Sequence, residues 1–209
     1  MIFILDLVAE RSVLRESLKG IIWTIFFNRL FGPITPVTNE FMNVTYPSAS
    51  NLPDLDSLID EKINKLIHSL KEPPNRGKIE IQFLGKSNTS SGNKNNNKKK
   101  SGWFSNSTYI EKEELKTWEV WRIEIEVLPL DQTNKNINTS IRSFEGNMGK
   151  IYDIIDKYKE HIPPITSLDS APFPYRILIP SLSGSTSDQS TQTLEGEEGW
   201  GTYIKKILD

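Results

Sequence analysis

Hydrophobic and polar residues alternate most strictly over "WEVWRIEIEVLPL", residues 118–130. Trp121, Ile123, Ile125 and Val127 share one face of an extended chain, and Arg122, Glu124 and Glu126 share the other, as in a strand with one buried side. Trp118 and Val120 fall on the charged face. Either the phase slips there through a bulge, or these two residues cover something else. "KIEIQF", residues 78–83, repeats the pattern with Ile79, Ile81 and Phe83 inward. The two runs read as a hairpin with a very long connection. A connection of that length in a compact domain is functional or disordered. "MIFILDLV" at the start and "PYRILIP" at 174–180 are further strands, the latter with Tyr175, Ile177 and Ile179 on one face. "FMNVTY", 41–46, is a short strand candidate in a Pro-, Thr- and Asn-rich stretch.

Three segments carry helical spacing instead. From Ser12 to Phe31, Leu14, Leu18, Ile21, Ile22, Ile25 and Phe26 form one stripe, and Trp23, Phe27 and Phe31 widen it until the helix is apolar nearly all round. Such a helix is expected to be covered on more than one side, by a sheet and by a partner. Gly32-Pro33 is its stop. Leu55, Leu58, Ile59, Ile63, Leu66, Ile67 and Leu70 mark a second helix, capped by Asp54 or Asn51 and ended by Pro73-Pro74. Ile137, Ile141, Phe144, Met148, Ile151, Ile155 and Tyr158 mark a third, with Gly146 and Gly149 inside it. Each glycine costs about 1 kcal/mol relative to Ala, so it either permits a close approach or softens the helix. Trp200, Tyr203, Ile204, Ile207 and Leu208 form a last, short amphipathic stretch that needs a surface to dock on. The order of elements predicts an α+β class: one mostly antiparallel sheet with helices packed against it.

Composition narrows the chemistry. The chain has 209 residues, 36% hydrophobic and 25% charged, with a formal net charge of -2, ordinary values for a globular chain. Cysteine is absent, which removes disulfides and thiolate chemistry together and agrees with a reducing compartment. "MIFILDLV" lacks a basic flank and contains Asp6, so it does not read as a signal peptide. "GIIWTIFF" stops at Asn28 and Arg29, far short of the roughly 20 residues that span a bilayer. A cytoplasmic protein without a transmembrane segment is expected. The two histidines, His68 and His161, have no local ligand pair, so neither a metal nor a cofactor is expected. No Gly-rich phosphate cradle and no nucleophile elbow is present in the sequence, and the carboxylates read as solvated rows. The expectation is a non-enzyme.

One stretch departs from this pattern. "KKKSGWFSNS", 98–107, sets Trp103 beside Phe104 in a connection otherwise made of Asn, Ser and Lys. The lysines with the two rings admit a weak, salt-sensitive nucleic-acid contact, but the near-neutral balance of the whole chain argues against it, and no nucleic-acid partner is expected. The rings either cover their own domain or bury themselves in a partner. Trp and Phe suit the second role, since truncating such an anchor costs roughly 2–4 kcal/mol at a good site.

"GKIEIQFLGK", then a polar connection ending in "GWFS", then "WEVWRIEIEV", then "MGKIYDIIDKYKEHIPPI" and "FPYRILI", together resemble the autophagy-related protein 101 family. The resemblance covers residues 53 to 180. It implies a HORMA fold over 1–180 with three main helices, an inserted flexible loop at 85–108 carrying a Trp-Phe finger, and a mobile tail at 181–209 ending in a short helix. It implies a non-catalytic scaffold and adaptor subunit of the kinase complex that initiates autophagy, at the phagophore assembly site. Its implied partner is the HORMA domain of autophagy-related protein 13, and Trp103 and Phe104 are implied to recruit downstream autophagy factors. Many family members carry a Pro between the two aromatics, and this chain does not. Ile151 and Ile155 on the third helix are the expected heterodimer surface. Another HORMA-type interaction module is the alternative.

Overall fold

Four strands build the main sheet of the computed structural model, which describes residues 1–70, 75–86, 115–165 and 172–180. They are β1 (Ile2–Glu10), β4 (Arg76–Lys86), β5 (Leu115–Leu128) and β6 (Tyr175–Leu178), in the order β1-β5-β4-β6. β4 pairs antiparallel with both β5 and β6, whereas β1 pairs parallel with β5. The α+β reading and the mostly antiparallel sheet therefore stand. Ile79, Ile81, Trp121, Ile123, Leu5 and Leu7 line one face and are almost wholly buried.

A second sheet was not read from the sequence. β2 (Pro36–Phe41) and β3 (Val44–Ala49) form a two-stranded antiparallel hairpin. "FMNVTY" is thus not one strand. The chain reverses at Met42 and Asn43, both at positive φ (53° and 61°), which matches the twist of a two-residue hairpin turn. Asn tolerates that region and Met rarely does, so no glycine marks the turn.

Helix α1 (Leu14–Phe27) lies between this hairpin and the main sheet. Phe26 meets the rings of Phe83 and Tyr175 at centroid distances of 5.5 and 4.9 Å. Gly20 sits where Phe144 of α3 and Tyr46 of β3 press closest; a Cβ there would lie 2.8 Å from the Phe144 ring. The all-round apolar helix is therefore covered by the chain itself. It stops at Phe27, four residues before Phe31, because Asn28 turns its amide onto the Thr24 carbonyl (2.7 Å) and Arg29 swings inward.

Helix α2 (Pro53–Ser69) follows the expected stripe, with Leu55, Ile59, Ile63 and Leu66 buried. Its N-cap residue is Leu52, not Asp54 or Asn51. Asn51 instead accepts from the Thr35 N–H and donates to the Pro33 carbonyl. Pro53 opens the helix, where a missing N–H costs nothing. Pro73 and Pro74 lie outside the described residues.

Helix α3 (Lys135–Lys157) runs along the free edge of β1. Even-numbered residues of β1 turn their backbone groups away from β5, and α3 answers them. Ser143 Oγ accepts from the Val8 N–H (2.9 Å), Ser140 Oγ accepts from the Glu10 N–H (2.8 Å), and Asn147 Nδ2 donates to the Asp6 carbonyl (2.8 Å). An open strand edge is a template for unwanted pairing, and here a helix closes it. Among the described residues, nothing outside their own helix lies within 4 Å of where a Cβ would stand at Gly146 and Gly149, so the close approaches inside the fold are elsewhere, at Gly20 and at Gly77, where a Cβ would lie 2.7 Å from Leu70.

Candidate functional site: the base of the 87–114 connection

β4 ends at Lys86 and β5 begins at Leu115. Residues 87–114, including Trp103 and Phe104, lie outside the described residues, as does the tail at 181–209. What the structure does describe is the base from which the long connection departs.

That base is distorted by a bulge. The register of β4 on β5 shifts between Phe83 and Leu84, which face Glu119 and Thr117, so Trp118 is the extra residue. The bulge brings Trp118 to the helix side, where its ring meets Phe83, His161 and Phe173 at 6.0, 5.3 and 5.0 Å. Val120 stays in phase with the outer face opposite Ile2 and Gln82. The phase conflict at 118–120 is therefore a bulge for one residue and ordinary alternation for the other.

Beside the bulge sits a fully buried carboxylate. Glu119 shares the parity of Trp121 and Ile123 and points into the core, with its side chain 0% exposed. Arg29 grips it in a fork, Nε to Oε1 at 2.8 Å and Nη2 to Oε2 at 2.9 Å. Trp121 Nε1 donates to Oε1 at 2.5 Å. His161 Nε2 lies 2.6 Å from Oε2, and because a carboxylate only accepts, Nε2 donates this bond. His161 Nδ1 faces the Tyr158 carbonyl. Four donors thus occupy the roughly four lone-pair sites of one carboxylate. Such a saturated, charge-assisted network joins the end of α1, the start of β5 and the exit of α3 at one point.

The sequence offered one signal for this cluster: a charged residue in phase with an apolar face. Its partners, 90 and 42 residues away, could not be read from spacing. His68 does not join His161. It is held by the Asn64 carbonyl on α2. Among the described residues, no group of three His, Asp or Glu side chains is arranged to hold a metal ion.

Ile151 is fully buried and fastens α3 to its own sheet, and Ile155 is half-buried against the same core. The exposed large hydrophobic side chain on that stretch is Tyr152. Ser140, Ser143 and Asn147, which cap β1, were missed. Their signal was a polar stripe at i, i+3 and i+7 beside the apolar seam.

The described residues define an α+β protein in which a buried ionic cluster ties the end of α1, the start of β5 and the exit of α3 together. Residues 6–169 match the family described as "Autophagy-related protein 101", and the chain belongs to that family. Two relatives carry the same description. One from Arabidopsis thaliana is 27% identical over 86% of this chain and 86% of its own length. One from Schizosaccharomyces pombe is 20% identical over 92% of this chain and 86% of its own length. Among the described residues, no helix is long and apolar enough to cross a membrane.

Proposed function

We propose that this chain is a non-catalytic scaffold and adaptor of the kinase complex that initiates autophagy, working in the cytoplasm and at the phagophore assembly site. Its fold is read as HORMA. It pairs with the HORMA domain of autophagy-related protein 13 and recruits downstream autophagy factors through Trp103 and Phe104. The observation that carries this reading is the clamp at the base of residues 87–114. A bulge and a four-donor carboxylate fix the strands from which that connection leaves. A connection rooted so firmly, with two large rings in a polar stretch, suits presentation to a partner. For the heterodimer surface, the outer side of α3 is favoured. Tyr152 is exposed there, Ile155 lies half-buried beside it, and Gly146 and Gly149 leave open space for another backbone. Ile151 supports that surface from beneath.

The test uses Trp103→Ala combined with Phe104→Ala in the intact chain. The expected result is unchanged melting and unchanged pairing, with recruitment of downstream factors lost. A melting temperature lowered by several degrees makes the rings part of the chain's own core, and retained recruitment moves the site elsewhere. Either result overturns the finger. For the α3 surface, Tyr152→Glu combined with Ile155→Glu is expected to abolish pairing while leaving recruitment residues untouched.

A further inference from the structure

The three helices lie on one face of the main sheet and along the β1 edge. The opposite face is not covered by any described element. Its composition follows from register. Ile2, Val120, Gln82 and Arg176 form one cross-strand row, Ile4, Arg122, Glu80 and Leu178 the next, and Asp6, Glu124 and Lys78 a third. Ile2 is 57% exposed and Ile4 43%, and with Met1 at 52% they form the largest concentration of exposed apolar side chains among the described residues. Arg122 and Glu80 neutralise each other at 2.7 Å in the middle of the face. This leaves an apolar corner rimmed by the exposed carboxylates of Asp6, Glu124 and Glu126, of which Asp6 also meets Lys150 at 3.7 Å and Glu126 meets Arg76 at 3.1 Å in exposed pairs.

We propose that residues 200–208 of this same chain dock on that corner. Trp200, Tyr203, Ile204, Ile207 and Leu208 fall at i, i+3, i+4, i+7 and i+8, which is the stripe of one helix face. Nine residues do not hold a helix alone in water, so the stripe requires a surface. Lys205 and Lys206 flank it and complement the acidic rim. Reach also fits. The chain leaves the described fold after Pro180, just past β6, and β6 lies three strand spacings from β1, about 14 Å. The intervening residues, 181 to 199, number 19 (199 − 181 + 1), and a coil of that length spans roughly 24 Å. A tether of this kind holds the segment at an effective concentration on the order of millimolar, so a weak apolar contact suffices for docking. This inference is independent of the finger and of the heterodimer surface.

Hydrogen exchange on the intact chain, read in peptides covering 200–208, tests it. Exchange at least about tenfold slower than in Ile2→Glu combined with Ile4→Glu is expected. Both side chains face solvent, so this pair leaves the core alone. Ile204→Glu with Ile207→Glu changes only the tail and is expected to release it to the same extent. Because the chain has no cysteine, Ile4→Cys with Ile207→Cys provides a direct readout, a disulfide within one monomer under mild oxidation. Free-peptide exchange rates at 200–208 in the unaltered chain overturn the proposal. So does protection that survives both sheet substitutions, or a disulfide that forms only between two chains.

Discussion

Two ionic clusters anchor helix α1, and they do so on opposite terms. On its outer side, Lys19 reaches Asp56 at 3.0 Å and Asp60 at 2.9 Å on α2, and Asp56 also accepts from Trp23 Nε1 at 2.8 Å. These carboxylates are more than a third exposed, and a groove of about 320 Å³ opens beside Lys19, Trp23, Tyr46 and Asp56. At the end of α1, Arg29 and Glu119 make the same kind of pair with side chains 1% and 0% exposed. Water competes for the first pair and cannot reach the second. An exposed pair contributes about 0–1 kcal/mol. A buried pair costs so much to desolvate that its net contribution is small, yet removing one partner strands the other charge. The outer cluster therefore tunes α1 against α2. The inner one decides where α1, β5 and the α3 exit meet.

The sharpest break is Glu119→Ala. It leaves Arg29 buried without a counter-charge, and a loss of about 3–5 kcal/mol is expected in urea unfolding. Arg29→Met combined with Glu119→Leu is expected to recover part of that loss, since both charges leave together while the Trp121 and His161 donors still lose their acceptor. If the double change is as damaging as the single one, the pair contributes net stability after all.

Alkaline unfolding separates the two regions next. Burial pushes the Tyr175 phenol up from 10.0 to about 12, helped by the negative charge of Asp54. Burial works against the charge on Lys19, but hydrogen bonds and attraction from Asp60 and Asp56 outweigh it and hold the ammonium above 10.5. Both groups keep their protons more tightly folded than unfolded. Their stabilisation is complete below the unfolded values and is lost as pH rises through the folded ones. Between about pH 10 and 12, a loss on the order of 2 kcal/mol is expected from Tyr175. Tyr175→Phe should remove most of that slope, and Lys19→Met should leave most of it.

The β1 edge is an intermediate case, polar but uncharged. Ser140→Ala leaves the buried Glu10 N–H without its acceptor, at about 1–2 kcal/mol after the better helix propensity of Ala is counted. Urea midpoints measure it, and amide exchange at Glu10 should speed up in parallel. The smallest effect is expected for Lys19→Met, under about 1 kcal/mol and vanishing when salt is raised to about 1 M. An effect there as large as that of Glu119→Ala would erase the distinction between the clusters.

Much of the architecture could be read from local pattern. α2 and α3 followed their stripes closely because their apolar faces meet one side each. α1 was found, but its end was misplaced. The apolar run continues past Phe27, and what stops the helix is Arg29 turning toward a carboxylate 90 residues away. The hairpin was half-read as one strand because its turn is made by Met42 and Asn43 instead of glycine. Gly146 and Gly149 stand in open space, whereas the closely packed glycines are Gly77 under Leu70 and Gly20, whose neighbours Phe144 and Tyr46 come from distant elements. At the site, the conflict at Trp118 announced the bulge, and Glu119 in phase with the core announced a buried charge. Neither named a partner.

Periodicity determined which residues face inward and which elements form, because a strand or helix must bury its own apolar side wherever it lies. The resemblance carried by "GKIEIQFLGK", "WEVWRIEIEV" and "FPYRILI" gave the family. Only tertiary structure set β1 parallel to β5, closed its edge with three polar side chains of α3, and gave Glu119 its four donors. Those outcomes depend on groups far apart in the chain, and a buried charge or an open strand edge can be satisfied only by whatever the fold places beside it.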